Sequence, residues 1–433
     1  MANKRNILLT TIAAFSLTCS VTLKAQEVPE TPFDTLARNV QSLADDLNKM
    51  KRLKITGYIQ PQWQYIDSAG APSVAGGDFA NGTSPYYSRF TMRRGRFKFT
   101  YDFENVKLVI NTDVTEKGLG MRETYLKITD PKYKMFSITM GLLQDQFGFE
   151  LTQSSSDRET PERARYNQSL FPSERDLGIF GSIEIPKSSK LTGLKFDAAV
   201  MNGSAGVTPE FDSHKDFTGR IRYTRTNKSE KIAYGIGMSY YNGGYRIGAV
   251  RDYELATLSN GDESFVFAQD TADYNRVARR IYTGADAQFS VIWRAGTTTL
   301  RAEYIQGEQP GTDKASKSAG GPPVAAIYHR NFNGAYFYLV QSIGQSKFQA
   351  VLKYDFYDPN VKISGQEIGK VGTNTKIGDI RFDTFGFGII YHMNQHVKLV
   401  TYYDLVMNEG TLIPGYTKDI KDNVVTIRIQ FRF

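Results

Sequence analysis

The chain has 433 residues but only one cysteine and four histidines. Cys19 stands alone, so the chain cannot form an internal disulfide bond or a thiolate metal site. The histidines are His214, His329, His392 and His396, and no Gly-x-Ser-x-Gly sequence marks a nucleophile at a strand–helix turn. Nucleophilic and acid–base catalysis both need reactive groups placed together. The sequence therefore predicts a protein that is not an enzyme and that holds no metal or cofactor.

Long apolar runs are also missing. After residue 25, no segment approaches the 18 consecutive apolar residues of a transmembrane helix. The mean hydropathy is −0.39, yet the chain contains 26 Tyr and 27 Phe. A polar average with abundant aromatic residues is typical of a membrane β-barrel, which has aromatic girdles outside and a wet interior.

Residues 1–25 have the pattern of a cleavable secretory leader. Lys4 and Arg5 give a positively charged start, and residues 7–17 form an apolar stretch too short to span a bilayer as a stable helix. We expect cleavage after Ala25; the alternatives are an uncleaved anchor and a lipoprotein linked through the cysteine. The leader carries three of the positive charges behind the formal net charge of +8, so the remaining excess is modest and no nucleic-acid partner is expected.

Residues 26–52 predict a periplasmic helix with a heptad repeat. Six apolar residues follow one another at alternating spacings of three and four: Phe33, Leu36, Val40, Leu43, Leu47 and Met50. This spacing places them along the seam of a coiled coil. So short a helix does not hold a coiled coil alone in water, but it can do so when tethered to a barrel that already oligomerises. The alternative is an amphipathic helix packed against the mouth of its own barrel.

Sixteen strand-like stretches follow over residues 53–433. The last alternates strictly, with apolar Val425, Ile427, Ile429, Phe431 and Phe433 between polar Thr426, Arg428, Gln430 and Arg432. Short connections alternate with mostly long ones, at 67–87, 145–175, 243–279, 309–328, 359–378 and 408–421. Closing the sheet removes the edge that an open sheet would expose to aggregation. The sequence thus predicts an all-β fold, a 16-stranded antiparallel transmembrane β-barrel in a bacterial outer membrane, with both ends on the periplasmic side.

Basic side chains are predicted to line the barrel interior. By alternation Arg94, Arg96 and Lys98 point inward on the second strand, and we name these three residues the basic ladder. Arg220 and Arg222 point inward on the eighth strand. Rings of Arg and Lys favour anions, and Arg adds two-point recognition of phosphate or carboxylate. For any one of these residues, the alternative explanation is ordinary solvation of the lumen, with the charge partly neutralised by salt bridges within the chain.

The connection over 145–175 is long and rich in charge of both signs. Arg158, Arg163 and Arg175 lie in it among several carboxylates. Folded into the barrel, such a loop would bring charged groups to the level of the basic ladder and narrow the channel. A solvated surface loop is the alternative.

Four short motifs occur in order around this loop. They are Gly-Leu-Leu-Gln-Asp-Gln-Phe-Gly at 141–148, Ser-Ser-Ser-Asp at 154–157, Glu-Arg-Ala at 162–164 and Arg-Asp-Leu-Gly at 175–178. Together with Arg93-Arg94 they resemble motifs of the phosphate-selective porins O and P. The resemblance implies a trimeric 16-stranded channel whose third external loop folds inward, with an arginine ladder and a lysine cluster that guide phosphate or polyphosphate.

The resemblance carries over residue by residue only to the basic ladder and to three loop residues, Arg158, Arg163 and Arg175. No dense inward lysine cluster is evident, and Pro161 stands where that family often has an apolar residue. These departures leave phosphate selectivity open.

The predicted function is that of an outer-membrane porin, a water-filled channel for small anions that include phosphate or polyphosphate. The expected partners are anionic solutes, outer-membrane lipid and two further copies of the chain in a homotrimer. The alternative is an adhesin or structural barrel that acts through its long external loops and does not conduct.

Overall fold

The computed structural model describes residues 32–72, 77–81, 84–204, 206, 209–248, 250–268 and 276–433. The chain divides into two compact units, one that ends at Lys51 and one that begins at Arg52. The predicted leader and residues 26–31 of the predicted helical segment lie outside the described residues.

Helix α1, Pro32–Arg52, belongs to the first unit except for its last residue. Within a single chain its six heptad residues are each more than half exposed: Phe33, Leu36, Val40, Leu43, Leu47 and Met50. None of the helices in the described ranges combines the length and the apolar character that crossing a bilayer requires.

The second unit is built from sixteen antiparallel strands. In chain order they are β1 Leu53–Ile66, β2 Ser88–Phe103, β3 Val106–Thr115, β4 Gly118–Thr129, β5 Phe136–Gln144, β6 Arg175–Glu184, β7 Leu194–Met201, β8 Asp216–Thr226, β9 Ile232–Arg246, β10 Val277–Trp293, β11 Gly296–Gly311, β12 Ile327–Ser342, β13 Phe348–Asp358, β14 Phe382–His392, β15 Val397–Asn408 and β16 Val424–Arg432. The connections hold the short helices α2, Phe149–Thr152, and α3, Arg165–Leu170, two 3-10 turns, Gly365–Glu367 and Ile377–Asp379, and four short strands, Ala80–Asn81, Ser84–Pro85, Asp252–Thr257 and Glu263–Phe267.

Each of these strands pairs with the next, and β16 closes on β1 with Ile59 opposite Phe431. The predicted closed 16-stranded barrel is therefore confirmed. Phe433 continues the closure, because its N–H donates to the Gly57 carbonyl oxygen at 3.0 Å. A Cβ atom on Gly57 would lie 2.6 Å from the Phe433 ring, so glycine is needed where this aromatic side chain crosses β1.

The two ends of the barrel differ in their connections. The turns after β2, β8 and β10 are short and lie at one end, together with the start of β1 and the end of β16. We name this the short-turn end, and the opposite end, which carries the long connections, the long-loop end. Along β1 the buried residues Gln60, Gln62 and Gln64 alternate with more exposed ones, as the sequence pattern predicts for a wall with an inner and an outer face.

Two β-bulges interrupt this alternation. Gln60 lies opposite Arg94 but Pro61 lies opposite Met92, so Arg93 is an extra residue in β2. The same irregularity between β3 and β4 makes Arg122 an extra residue. Each bulge turns its arginine inward beside the residue that alternation already places there.

Residues 145–174, which we name loop 3, run inside the barrel. Phe147, Leu151, Tyr166 and Phe171 of this loop belong to one apolar cluster with aromatic residues of β9, β10, β12 and β13, namely Tyr241, Tyr282, Phe332, Tyr336, Tyr338 and Tyr357. This part of the interior is therefore apolar, unlike the wet lumen expected from composition, because loop 3 covers it.

Candidate functional site

Loop 3 is bonded to the wall on several sides of the lumen. The carboxylate of Glu303 on β11 accepts the N–H groups of Phe149 and Glu150 at 2.8 and 3.1 Å, at the start of α2. Further hydrogen bonds join Gly148 to Ser239 of β9, Glu150 to Tyr338 of β12, Arg165 to Asp355 of β13 and Ser155 to Tyr58 of β1. The loop thus extends from the apolar wall to the opposite side of the barrel.

Glu162 lies where loop 3 meets β2 and β16. Arg93 makes a two-point contact with its carboxylate, Nε to Oε1 and Nη2 to Oε2, both at 2.8 Å. Arg94 reaches Oε2 at 3.1 Å and Arg428 reaches Oε1 at 3.0 Å. We name these four residues, together with Arg158, the Glu162 cluster. Arg94 of the basic ladder is therefore paired to the chain's own carboxylate.

The charge state of Glu162 follows from these contacts. Burial by itself raises the pKa of a carboxyl group, because it penalises the charged form. The guanidinium groups of Arg93, Arg94 and Arg428 outweigh burial and hold the pKa of Glu162 well below its usual range. Glu162 is consequently ionised at neutral pH.

Arg158 and Arg163 mainly hold the backbone of loop 3. Arg163 donates from Nε to the carbonyl oxygen of Glu150 at 3.0 Å and from Nη2 to that of Leu151 at 3.1 Å, and it also contacts Glu174. Arg158 donates to the carbonyl oxygen of Thr160 at 3.3 Å. Both side chains are buried.

A cavity of about 530 Å³ lies between loop 3 and the wall of β1–β7 and β16. Thr56, Tyr58 and Arg432 line it, which places it towards the short-turn end. Its lining has more bases than acids: Arg96, Lys98, Lys127, Arg163, Arg175, Lys195 and Arg432 against Glu123 and Asp157. We name it the Arg96 cavity.

Arg96 is buried, yet its guanidinium is incompletely paired. Its Nε and Nη2 atoms have no hydrogen-bond partner among the described residues. The nearest carboxylate oxygen, on Asp113, is 3.7 Å from Nε. A buried guanidinium that borders a cavity and lacks a bonded acceptor can bind the oxygens of an anion.

The residues around Arg96 carry surplus positive charge. Ion pairs of 3.1 to 3.9 Å link Lys98 and Arg175 to Glu123, and Arg122 to Asp113 and Glu174. The bases of this group are Arg96, Lys98, Arg122, Arg163 and Arg175, and its acids are Asp113, Glu123 and Glu174. Five bases therefore face three acids.

Arg220 and Arg222 lie away from this group, on β8. Arg220 pairs with Asp286 of β10 at 3.0 Å and donates to the Thr152 hydroxyl of loop 3 at 3.1 Å, so it supports the loop. Arg222 lies two residues closer to the short-turn end and is partly exposed. The structure thus brings together Arg96, Lys98, Arg163 and Arg175 of the predicted pathway residues but not these two.

Sequence reasoning missed Arg93 and Arg122 as inward residues. Strict alternation gives one inward position in each of the neighbouring pairs Arg93-Arg94 and Arg122-Glu123. The sequence signal that could have found them is a pair of consecutive charged residues within a strand. Under strict alternation one residue of such a pair would face lipid, at a cost of a few kcal/mol.

Among the described residues, no group of three or more His, Cys, Asp or Glu side chains is arranged to hold a metal ion.

Asp422, near the long-loop end, supplies a test of stability against pH. Burial raises its pKa to about 7, although Arg165 lowers it. A carboxyl group whose pKa is raised on folding destabilises the folded state progressively as pH rises from its unfolded value, about 4, to about 7. We expect Asp422→Asn to raise the temperature at which the barrel unfolds in detergent at pH 8 and to change it little at pH 4. Equal changes at both pH values would contradict this assignment.

The sequence matches no known family profile and no curated protein, but solved structures share the architecture. The anion-selective porin from Comamonas acidovorans is similar over 88% of this chain and 99% of that chain, with 10% identity and a TM-score of 0.52. The outer membrane channel DcaP of Acinetobacter baumannii matches over 88% and 97%, with 12% identity and a TM-score of 0.50. The trimer form of OmpT of Vibrio cholerae matches over 88% and 99%, with 9% identity and a TM-score of 0.50. The chain has the porin fold. At these identities the likeness concerns the fold alone, and the porin fold here encloses the Arg96 cavity and the Glu162 cluster.

Proposed function

We propose that the chain is an outer-membrane porin that conducts small anions. The observation that carries this proposal is the incompletely paired guanidinium of Arg96 in a cavity whose lining is mostly basic. An anion that enters this space replaces lost hydration with N–H donors, while a cation meets uncompensated positive charge. The protein acts as a channel and not as an enzyme.

Oxyanions are the solutes that best fit the Arg96 cavity. A guanidinium presents its N–H groups as a planar fork that matches two oxygens of phosphate or carboxylate. Lys98 and Arg175 lie beside Arg96 and both pair with Glu123. Arg175 also pairs with Glu174, which Arg122 and Arg163 share, so the positive charge of the group is only partly balanced. Inorganic phosphate and polyphosphate are therefore included among the proposed solutes.

Residues 1–25 would direct export and be removed, leaving the short-turn end of the barrel and helix α1 on the periplasmic side. The apolar outer face supports a location in the outer membrane, where it contacts lipid. Three copies are proposed to associate, in line with the trimeric form of a protein of the same fold.

Reversal potentials of the purified protein test the proposed function. Channels in a planar bilayer between unequal potassium chloride concentrations should show a reversal potential of the sign expected when chloride carries most of the current. A potential set by potassium would overturn anion selectivity. Binding to cells by a protein that forms no channel would instead favour the adhesin alternative, in which the long loops act.

Helix α1 supplies a prediction about assembly. Its exposed heptad residues would be covered by equivalent residues of neighbouring copies in a coiled coil. Replacing Leu36, Leu43 and Leu47 by Asp should lower the temperature at which the oligomer dissociates in detergent. Replacing the non-seam residues Thr35, Gln41 and Asn48 by Asp is the matched control and should have less effect. Unchanged cross-linking and dissociation in the Leu variant would mean that α1 does not hold the copies together.

A further inference from the structure

The Glu162 cluster contains more positive charge than one carboxylate balances. Arg93, Arg94 and Arg428 all contact Glu162. Arg158 lies beside them, because the carbonyl oxygen of Pro161 accepts hydrogen bonds from Arg158 Nη2 at 3.2 Å and from Arg428 Nη1 at 2.7 Å. Four guanidinium groups thus surround a single negative charge.

The cluster also has an unused donor. Arg158 is buried, and its Nη1 atom has no hydrogen-bond partner within the described ranges. An unpaired buried donor of this kind is costly and is relieved when an acceptor binds. The chemistry of the cluster therefore favours an additional or a better-matched anion.

The barrel wall, not loop 3, orients most of these arginines. Gln60 of β1 accepts a hydrogen bond from Arg94 Nη1 at 3.1 Å, and Gln62 accepts one from Arg428 Nε at 2.9 Å. Arg93 is directed inward by the bulge in β2. The wall thus holds three guanidinium groups, and loop 3 supplies the carboxylate that occupies the space between them.

We propose that this space is an oxyanion-binding site of the channel and that Glu162 is a tethered anion that competes for it. The inference rests on the proposed anion channel and deepens it. A solute with two suitably spaced oxygens, such as phosphate or a carboxylate, displaces Glu162 from Arg93, Arg94 and Arg428. Chloride lacks the paired oxygens and displaces it less well.

Two of the carboxylates of loop 3, Glu159 and Glu162, lie in different settings. Glu159 makes the same kind of two-point contact with Arg301, at 2.6 and 3.0 Å. That pair is balanced one to one, whereas Glu162 faces three contacting guanidinium groups. Glu159 therefore provides a control residue of the same charge, on the same loop and three positions away.

Block of the chloride current by inorganic phosphate tests the proposal. Glu162→Gln and Glu159→Gln each remove one negative charge from loop 3. We expect the concentration of phosphate for half-block to fall about tenfold in Glu162→Gln, equivalent to about 1.4 kcal/mol, because the competitor is gone. In Glu159→Gln the half-block concentration of phosphate should stay close to that of the parent protein. The half-block concentration of acetate, measured separately, should likewise fall in Glu162→Gln and stay close to the parent value in Glu159→Gln. The two measurements compare a carboxylate directly with phosphate.

Equal shifts in the two variants, or no shift in either, would overturn the tethered competitor. The proposed function fails on a separate measurement, the reversal potential of the parent channel in chloride alone. If Glu162→Gln does not form a folded barrel, Glu162→Asp replaces it. The aspartate side chain is shorter by one methylene, so its carboxylate lies further from the guanidinium groups and a smaller fall in the half-block concentration is expected. An unchanged half-block concentration would overturn the proposal.

Discussion

Replacing Arg96 and Lys98 by glutamate is expected to make the proposed anion channel select cations instead. The two substitutions change the local charge by four units in a confined space, where charge acts more strongly than in open water. Arg96 carries the unpaired donors, and Lys98 is the next inward residue on β2. The reversal potential in a potassium chloride gradient should change sign.

The matched control is Lys54→Glu with Lys107→Glu. These lysines lie at the short-turn end of β1 and β3, are largely exposed and both pair with Asp102. Water and salt screen charges at such positions, so the control should shift the reversal potential much less. If both pairs shift it equally, selectivity reflects total charge and not the Arg96 cavity. Both variants are first checked by gel electrophoresis for the heat-dependent change in mobility that a folded barrel shows.

Phe147→Ala is expected to loosen loop 3 and to destabilise the barrel. The Phe147 ring is fully buried, with its centroid 5.3 Å from that of Phe171 and 6.4 Å from that of Tyr282. Truncating a buried phenylalanine to alanine costs about 3–5 kcal/mol, from lost burial and the cavity that remains. We expect a lower unfolding temperature together with larger, more variable single-channel currents.

Phe289→Ala on the outer face is the comparison for this variant. Phe289 is partly exposed and faces outward on β10, where lipid can fill the space left by its ring. Phe289→Ala should therefore leave the single-channel current unchanged. A stable Phe147→Ala channel with parental currents would show that the apolar cluster does not hold loop 3 in place.

The barrel itself was predictable from sequence because its two strongest signals are physical necessities. Strict alternation, as at Val425–Phe433, is required of any wall with lipid on one side and a lumen on the other. Sixteen strand-like stretches gave the number of strands, and the alternation of short and long connections gave the direction of each. Length and charge singled out loop 3, and its inward position was expected from the resemblance to porins, with the surface loop left as the alternative.

The pairing of the inward charges was not predictable. Arg94 was expected to belong to the basic ladder, but the sequence did not identify its partner Glu162, which lies 68 positions along the chain. Arg93 and Arg122 depend on bulges, each of which shifts the register by one residue and so reverses the face of a side chain. Composition alone does not distinguish the interior residues Tyr241, Tyr282 and Tyr336 from girdle residues, because tyrosine suits both a membrane interface and a covered interior.

Glu162 carries a negative charge inside the lumen and is held there by ion pairs of 2.8 to 3.1 Å. A transmembrane voltage therefore exerts a force on the carboxylate that a neutral constriction would not feel. Moving one elementary charge through a full 100 mV corresponds to about 2.3 kcal/mol, and a carboxylate displaced within the lumen crosses part of that drop. The two polarities pull Glu162 in opposite directions along the lumen. In the proposed channel, the current is therefore expected to depend on the direction of the field, and a single side chain would produce this rectification.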